Sequence, residues 1–151
     1  MNILIFGCGS IGTHHAHAAR SLNFKVFITD INSIQMEYMK KSGLTSVMFG
    51  VESGSQRMLD LMIKKVKRED YIKSAEVLNH LGVEMYASFM FAMPRETVAD
   101  LKETISLMNI IRKINPNFLL KNCIFVPLPD TGMFRDAVKL GYQPPTTLEE
   151  W

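Results

Sequence analysis

Apolar runs alternate with amphipathic stretches along the whole chain, and no other feature constrains the fold as strongly. It is the pattern of a parallel α/β protein. Asn2–Phe6 and Lys25–Thr29 read as short buried strands, and Ser46–Val51, Glu84–Met93 and Asn117–Val126 as three more. Helical patterns fall between them. One runs from about Ser10 to Ser21, with Ile11, His15, Ala18 and Leu22 on one face. A second follows a Ser33 N-cap and stops at Gly43, where glycine suits a left-handed C′ position. Ser55–Ile63 is a broken helical region, and a helix from about Glu69 to Leu81 closes at Gly82. Thr97 and Asp100 make a near capping box, with Asp in place of the usual Glu. The helix they open carries Val98, Leu101, Ile105 and Met108 on one face, and a last helix ends at Gly141. The predicted class is α/β: one domain over residues 1–151, a parallel five-stranded sheet or partial (half) barrel.

Composition sets the outer limits. With 47% hydrophobic and 21% charged residues the chain resembles an ordinary soluble domain, and no apolar run reaches the ~18 residues of a membrane span. The apolar start MNILIFGCGSIG lacks a basic leader and reads as strand and turn. Two cysteines, Cys8 and Cys123, are too few for a disulfide framework and point to a reducing cytoplasm. A net charge of +2 offers no basic field, so neither nucleic acid nor membrane is an expected partner. The eleven methionines read as soft core filler.

GCGSIG places Gly7, Gly9 and Gly12 after a strand and at the mouth of a helix. Such glycines allow a tight turn, close approach of a pyrophosphate and close helix–strand packing. Backbone N–H groups of Ser10 and Ile11 would face the phosphates at the helix N-terminus. Asp30, eighteen residues past Gly12, stands where a carboxylate would take up a ribose 2′-hydroxyl, which favours NAD over NADP. The predicted unit is a Rossmann-like βαβ. His14, His15 and His17 lack a third ligand at suitable spacing and read as a helix face, so no metal site is expected.

The segment MNILIFGCGSIGTHHAHAARSLNFKVFITDIN, residues 1–32, resembles the N-terminus of the Gfo/Idh/MocA oxidoreductases. That resemblance implies an NAD(P) site built from Gly7, Gly9, Ser10, Ile11, Gly12 and Asp30. The family's second, catalytic domain has no counterpart after Asn32.

Residues 33–151 resemble something else. GLTSVMFGVESGSQRMLDLMIKK, YASFMFAMPRET and IFVPLPDTGMFRDAVKLG are similar, in order, to the second half of a radical SAM barrel. The group in view often carries a cobalamin-binding domain. The resemblance implies that Glu52 and Ser53 of GVESGS approach the ribose and methionine of S-adenosylmethionine (SAM), and that AMPRET stands where a glycine-rich turn lines it. Ala92, Arg95 and Asp130 occupy positions where that family places glycine. Read from the residues alone, Glu52, Ser53, Glu96 and Thr97 end parallel strands, where α/β sheets place ligands.

The resemblance also implies a [4Fe–4S] cluster on three cysteines spaced CxxxCxxC, and this sequence contains no such motif. No iron–sulfur cluster is therefore expected from this chain alone. KKVKRED, Lys64–Asp70, reads as a solvated basic link.

The two resemblances together suggest a chimera or fusion joined near Asn32–Gln35. The expected function is nucleoside cofactor binding, SAM or weak NAD(P), without independent radical catalysis. An NAD(P)-binding oxidoreductase-type subunit needing a partner chain is the alternative, and a recombined chimera without activity a further one. Open sheet edges and an apolar face predict a homodimer or a completing partner chain.

Overall fold

The computed structural model describes residues 2–6, 25–29, 33–147 and 149. In order come β1 (Asn2–Phe6), β2 (Lys25–Thr29), α1 (Ser33–Lys41), β3 (Ser46–Glu52), α2 (Gln56–Leu61), α3 (Arg68–His80), β4 (Glu84–Phe91), α4 (Val98–Ile114), β5 (Phe118–Ile124) and α5 (Gly132–Lys139). The α/β class and the strand sequence are as the alternation of patterns predicts. Strand β4 stops two residues short of the expected Met93 because Ala92 turns left-handed, with φ 61°. Among the described residues no helix is long and apolar enough to cross a membrane.

Among the described residues every strand pairing is parallel. Strands β1 and β2 pair in register from Asn2↔Lys25 to Phe6↔Thr29, and β3, β4 and β5 form a second sheet in that order. Of the two forms expected from the sequence, the described strands make no single five-stranded ladder but a two-stranded and a three-stranded one, consistent with the partial barrel. Periodicity shows that a segment is a strand, but adjacency in sequence is only a tendency toward adjacency in a sheet.

One face of the three-stranded sheet carries the core. Val47 and Val51 of β3 and Met85, Ala87 and Phe89 of β4 pack with Tyr71, Ala75 and Leu78 of α3 and Leu107 and Ile111 of α4. The other face aligns Met48, Tyr86 and Leu119 in one row and Gly50, Ser88 and Lys121 in the next. Met48 and Leu119 are exposed on it.

Helix α4 is rotated from the expected orientation. Its buried residues are Asp100, Thr104, Leu107 and Ile111, while Val98 and Ile105 are 67% and 52% exposed. The apolar stripe Val98–Leu101–Ile105–Met108 lost to a stripe that places two polar side chains against the loop after β3. The bonds they make there explain the choice.

Candidate functional site

The polar residues gather where β3, β4 and β5 end. A bulge between Gly50 and Glu52 breaks the β3–β4 register. Directly after it Glu52 adopts φ 65°, and Ser53 N–H donates to the Val51 carbonyl at 2.8 Å. This is a three-residue γ-turn of the rare, strained, positive-φ kind. A glutamate held in that region costs of order 1–3 kcal/mol and persists only if its surroundings fix it.

The Glu52 carboxylate stands 3.3 Å from Lys64 Nζ, which also donates to the Gly50 carbonyl. Both side chains are partly buried. A Cβ built on Gly50 would collide with Glu52 Oε1 and lie 3.3 Å from Lys64 Nζ. The ion pair therefore occupies the space that a side chain at Gly50 would fill, on the face that carries Ser88 and Lys121. Lys64 is itself flanked by left-handed residues, Ile63 at φ 58° and Lys65 at φ 51°. For a β-branched residue such as isoleucine that conformation is a true outlier. Behind the pair, Tyr71 of α3 is buried, and its phenol pKa is pushed up to about 12, first by burial and then by the charges of Glu52 and Asp70.

The loop after Glu52 is clamped onto α4. Ser53 Oγ lies 3.1 Å from Thr104 Oγ1, the Gly54 N–H donates to Thr104 Oγ1 at 3.0 Å, and Ser55 N–H donates to Ser53 Oγ at 3.1 Å. Ser53 is wholly buried, so its hydroxyl is engaged inside the loop. Ser55 caps α2, accepting from Met58 N–H at 3.4 Å, and donates to Asp100 Oδ1 at 2.6 Å. Arg57 Nε reaches the same oxygen at 3.2 Å, and Arg57 Nη2 pairs with Asp100 Oδ2.

In the turn after β4, Glu96 Oε2 accepts from Ala92 N–H at 2.8 Å and Met93 N–H at 3.4 Å, while Glu96 Oε1 is buried without a partner. Burial holds the Glu96 pKa above its ordinary value despite those two donors. Thr97 caps α4 and completes a capping box with Asp100, as the sequence predicts. Arg95 and Asp130 take φ 64° and 63°, so all three non-glycine residues at expected glycine positions are left-handed.

Of the candidate cofactor residues, Glu52 and Ser53 are brought together at the end of β3. Gly7, Gly9, Ser10, Ile11, Gly12 and Asp30, together with the three histidines, lie outside the described residues. Sequence reasoning missed Lys64, which it assigned to a solvated link, and also Arg57 and Thr104. The available signal was the i, i+4, i+7, i+11 spacing of Asp100, Thr104, Leu107 and Ile111.

The strained carboxylate and the cation thus lie at the carboxyl ends of parallel strands, the end at which α/β folds place their sites. The chain belongs to the Radical SAM superfamily, whose model matches residues 17–108. An uncharacterized methyltransferase of Pyrococcus horikoshii is 25% identical over 111 residues, which cover 74% of this chain and 23% of that protein. The anaerobic magnesium-protoporphyrin IX monomethyl ester cyclase of Rubrivivax gelatinosus is 26% identical over 111 residues, 72% of this chain and 19% of that protein. The chain thus spans less than a quarter of these relatives. Among solved structures, the radical SAM enzyme coproporphyrinogen III oxidase of Escherichia coli shares the fold, with a TM-score of 0.55 and 14% identity over 87% of this chain and 31% of that one.

The family match begins inside residues 1–32 and runs unbroken through Asn32–Gln35, where the two resemblances had suggested a join. None of these similarities supports the Gfo/Idh/MocA reading, NAD(P) binding or a chimera. As for a cluster, the sequence has two cysteines, and a cubane takes more thiolates than that. Cys123, on β5, is the one described. This chain's own donors do not fit a [4Fe–4S] cluster.

Proposed function

We propose that the ends of β3 and β4 bind SAM, and that this chain is the SAM-holding part of a methyltransferase- or cyclase-type radical SAM enzyme. The observation that carries the reading is the Glu52–Lys64 pair, held over Gly50 by three left-handed residues. SAM presents ribose hydroxyls and an α-amino-acid zwitterion. Glu52 would accept hydrogen bonds from hydroxyl or ammonium groups, and Lys64 would meet the carboxylate. Ser88, paired with Gly50 in the β3–β4 register, adds a hydroxyl. When bound, SAM supplies either a methyl group or a 5′-deoxyadenosyl group. The residues of this chain bind and orient it, with the Glu52 carboxylate held 3.3 Å from Lys64 Nζ as the acceptor. The reducing equivalent for radical chemistry has no source among its own side chains.

Calorimetric titration tests this. SAM should bind the purified chain, Glu52→Gln should weaken binding about tenfold, and Lys64→Met should weaken SAM more than 5′-deoxyadenosine, which has no carboxylate. Absence of SAM binding at millimolar concentration, or equal affinity in Glu52→Gln, would overturn the reading.

A further inference from the structure

One carboxylate ties together the N-termini of two helices that are far apart in sequence. Asp100 is the N3 residue of α4 and accepts from Thr97 N–H at 2.8 Å and Thr97 Oγ1 at 2.5 Å. A capping box requires no more of it. Yet the same carboxylate also takes the Ser55 hydroxyl, which caps α2, and both the Nε and Nη2 of Arg57. Its two oxygens accept five hydrogen bonds, and the side chain is 5% exposed.

Arg57 extends the connection. Its Nη2 also donates to the Arg95 carbonyl at 2.8 Å, and Arg95 Nη2 pairs with Asp136 Oδ1 of α5 at 2.9 Å. The segments that follow β3, β4 and β5 are thereby joined through charged groups. The Asp100 carboxyl is held far below the usual carboxylate range, chiefly by Arg57, so the charge that makes these bonds persists at any moderate pH.

Glu52 needs such a support. Its left-handed turn is unfavourable by itself, and only two residues separate it from Ser55. Ser53, Gly54 and Ser55 are each bonded to Thr104, to Asp100 or to one another. We infer that Asp100 and Arg57 are positioning residues: by fixing Ser55 against α4 they hold Glu52 in the strained conformation that presents its carboxylate to ligand. This rests on the SAM reading for its functional meaning, but not for its structural content.

Two measurements on Asp100→Asn and Arg57→Met test it. The first is amide hydrogen exchange without ligand. Both variants should speed exchange at Ser53 and Gly54 about tenfold or more, and leave Ala87 and Phe89 in β4 within about twofold. The second is SAM affinity, which should fall about tenfold in each variant yet fall no further when Asp100→Asn is added to Glu52→Gln. Uniformly faster exchange, or unchanged exchange at Ser53, would overturn the proposal, as would an affinity loss that adds in full to that of Glu52→Gln. If Asp100→Asn fails to fold, Arg57→Met still decides, because that side chain is 48% exposed. A wild-type chain that binds no SAM, with Ser53 responding as expected, would sink the SAM reading and leave the positioning role standing.

Discussion

Gly54 lies directly on Thr104: its N–H donates to Thr104 Oγ1 at 3.0 Å, and a Cβ added to it would stand 2.6 Å from Thr104 Cα. The Glu103 carbonyl oxygen would be equally close, at 2.6 Å. Both obstacles are backbone atoms of α4, which cannot swing aside as a side chain can. Gly54→Ala should therefore push the β3 loop off the helix and destabilise the fold by about 1–3 kcal/mol. Urea unfolding reads this directly. A midpoint equal to that of wild type would mean that loop and helix separate at no cost, and the clamp described above would lose its basis.

Ala92 should respond in the opposite way. It holds φ 61° without glycine's freedom, at a cost of about 1–2 kcal/mol, while glycine returns about 0.5–1 kcal/mol as unfolded-chain entropy. Ala92→Gly should stabilise by roughly 0.5–1 kcal/mol. Gly82, at φ 60° with nothing within 4 Å of an added Cβ, is the matched control. Gly82→Ala should cost about 0.5–1 kcal/mol, the backbone strain less the unfolded-chain entropy that alanine removes. The paired thermal melts should move in opposite directions.

The class of fold was legible because period-two and period-3.6 patterns switch cleanly, and the ends of α1 and α3 because Gly43 and Gly82 mark them. Thr97 as a helix cap was legible for the same local reason. What escaped was set by contacts across long sequence separations. Asp100 looked like an ordinary capping residue because Ser55 and Arg57 lie 45 and 43 positions away. The apolar residues Val98 and Ile105 seemed the natural buried face of α4, yet burying Asp100 and Thr104 satisfies the loop donors that would otherwise be orphaned. Lys64 sits in a basic run, and composition alone gives a basic run to solvent. Its role depends on the left-handed turns at Ile63 and Lys65, which no propensity predicts.

Gly50 offers a test that separates fold from site. A methyl group there would occupy the place of the Glu52 carboxylate and press on Lys64 Nζ, both of them ends of flexible side chains. The backbone φ of Gly50 is not left-handed, so alanine adds no strain of its own. Gly50→Ala should change stability by less than about 1 kcal/mol while weakening SAM binding at least about tenfold. Melting and calorimetry on the same preparation check both halves. Retained affinity would show that the ion pair need not lie over Gly50 to serve the ligand.

Tyr71 provides the pH signature of the space behind Glu52. Its phenol pKa rises from 10.0 to about 12, first through burial, then through Glu52 and Asp70. Below about pH 10 the folded and unfolded chains both keep the proton, and the group gives stability no pH dependence. Above that, the unfolded chain releases the proton while the folded chain retains it, so stability falls as pH rises toward 12. Two pKa units correspond to about 2–3 kcal/mol over the whole interval. Tyr71→Phe removes this slope and leaves every lysine titration in place, so the difference between the two proteins isolates the phenol. Urea unfolding at intervals from about pH 9 to pH 11.5 should show wild type losing its advantage steadily against Tyr71→Phe across the range where the phenol ionises. Parallel curves would mean that Tyr71 ionises as it would in water, and that the carboxylate of Glu52 does not share its buried surroundings.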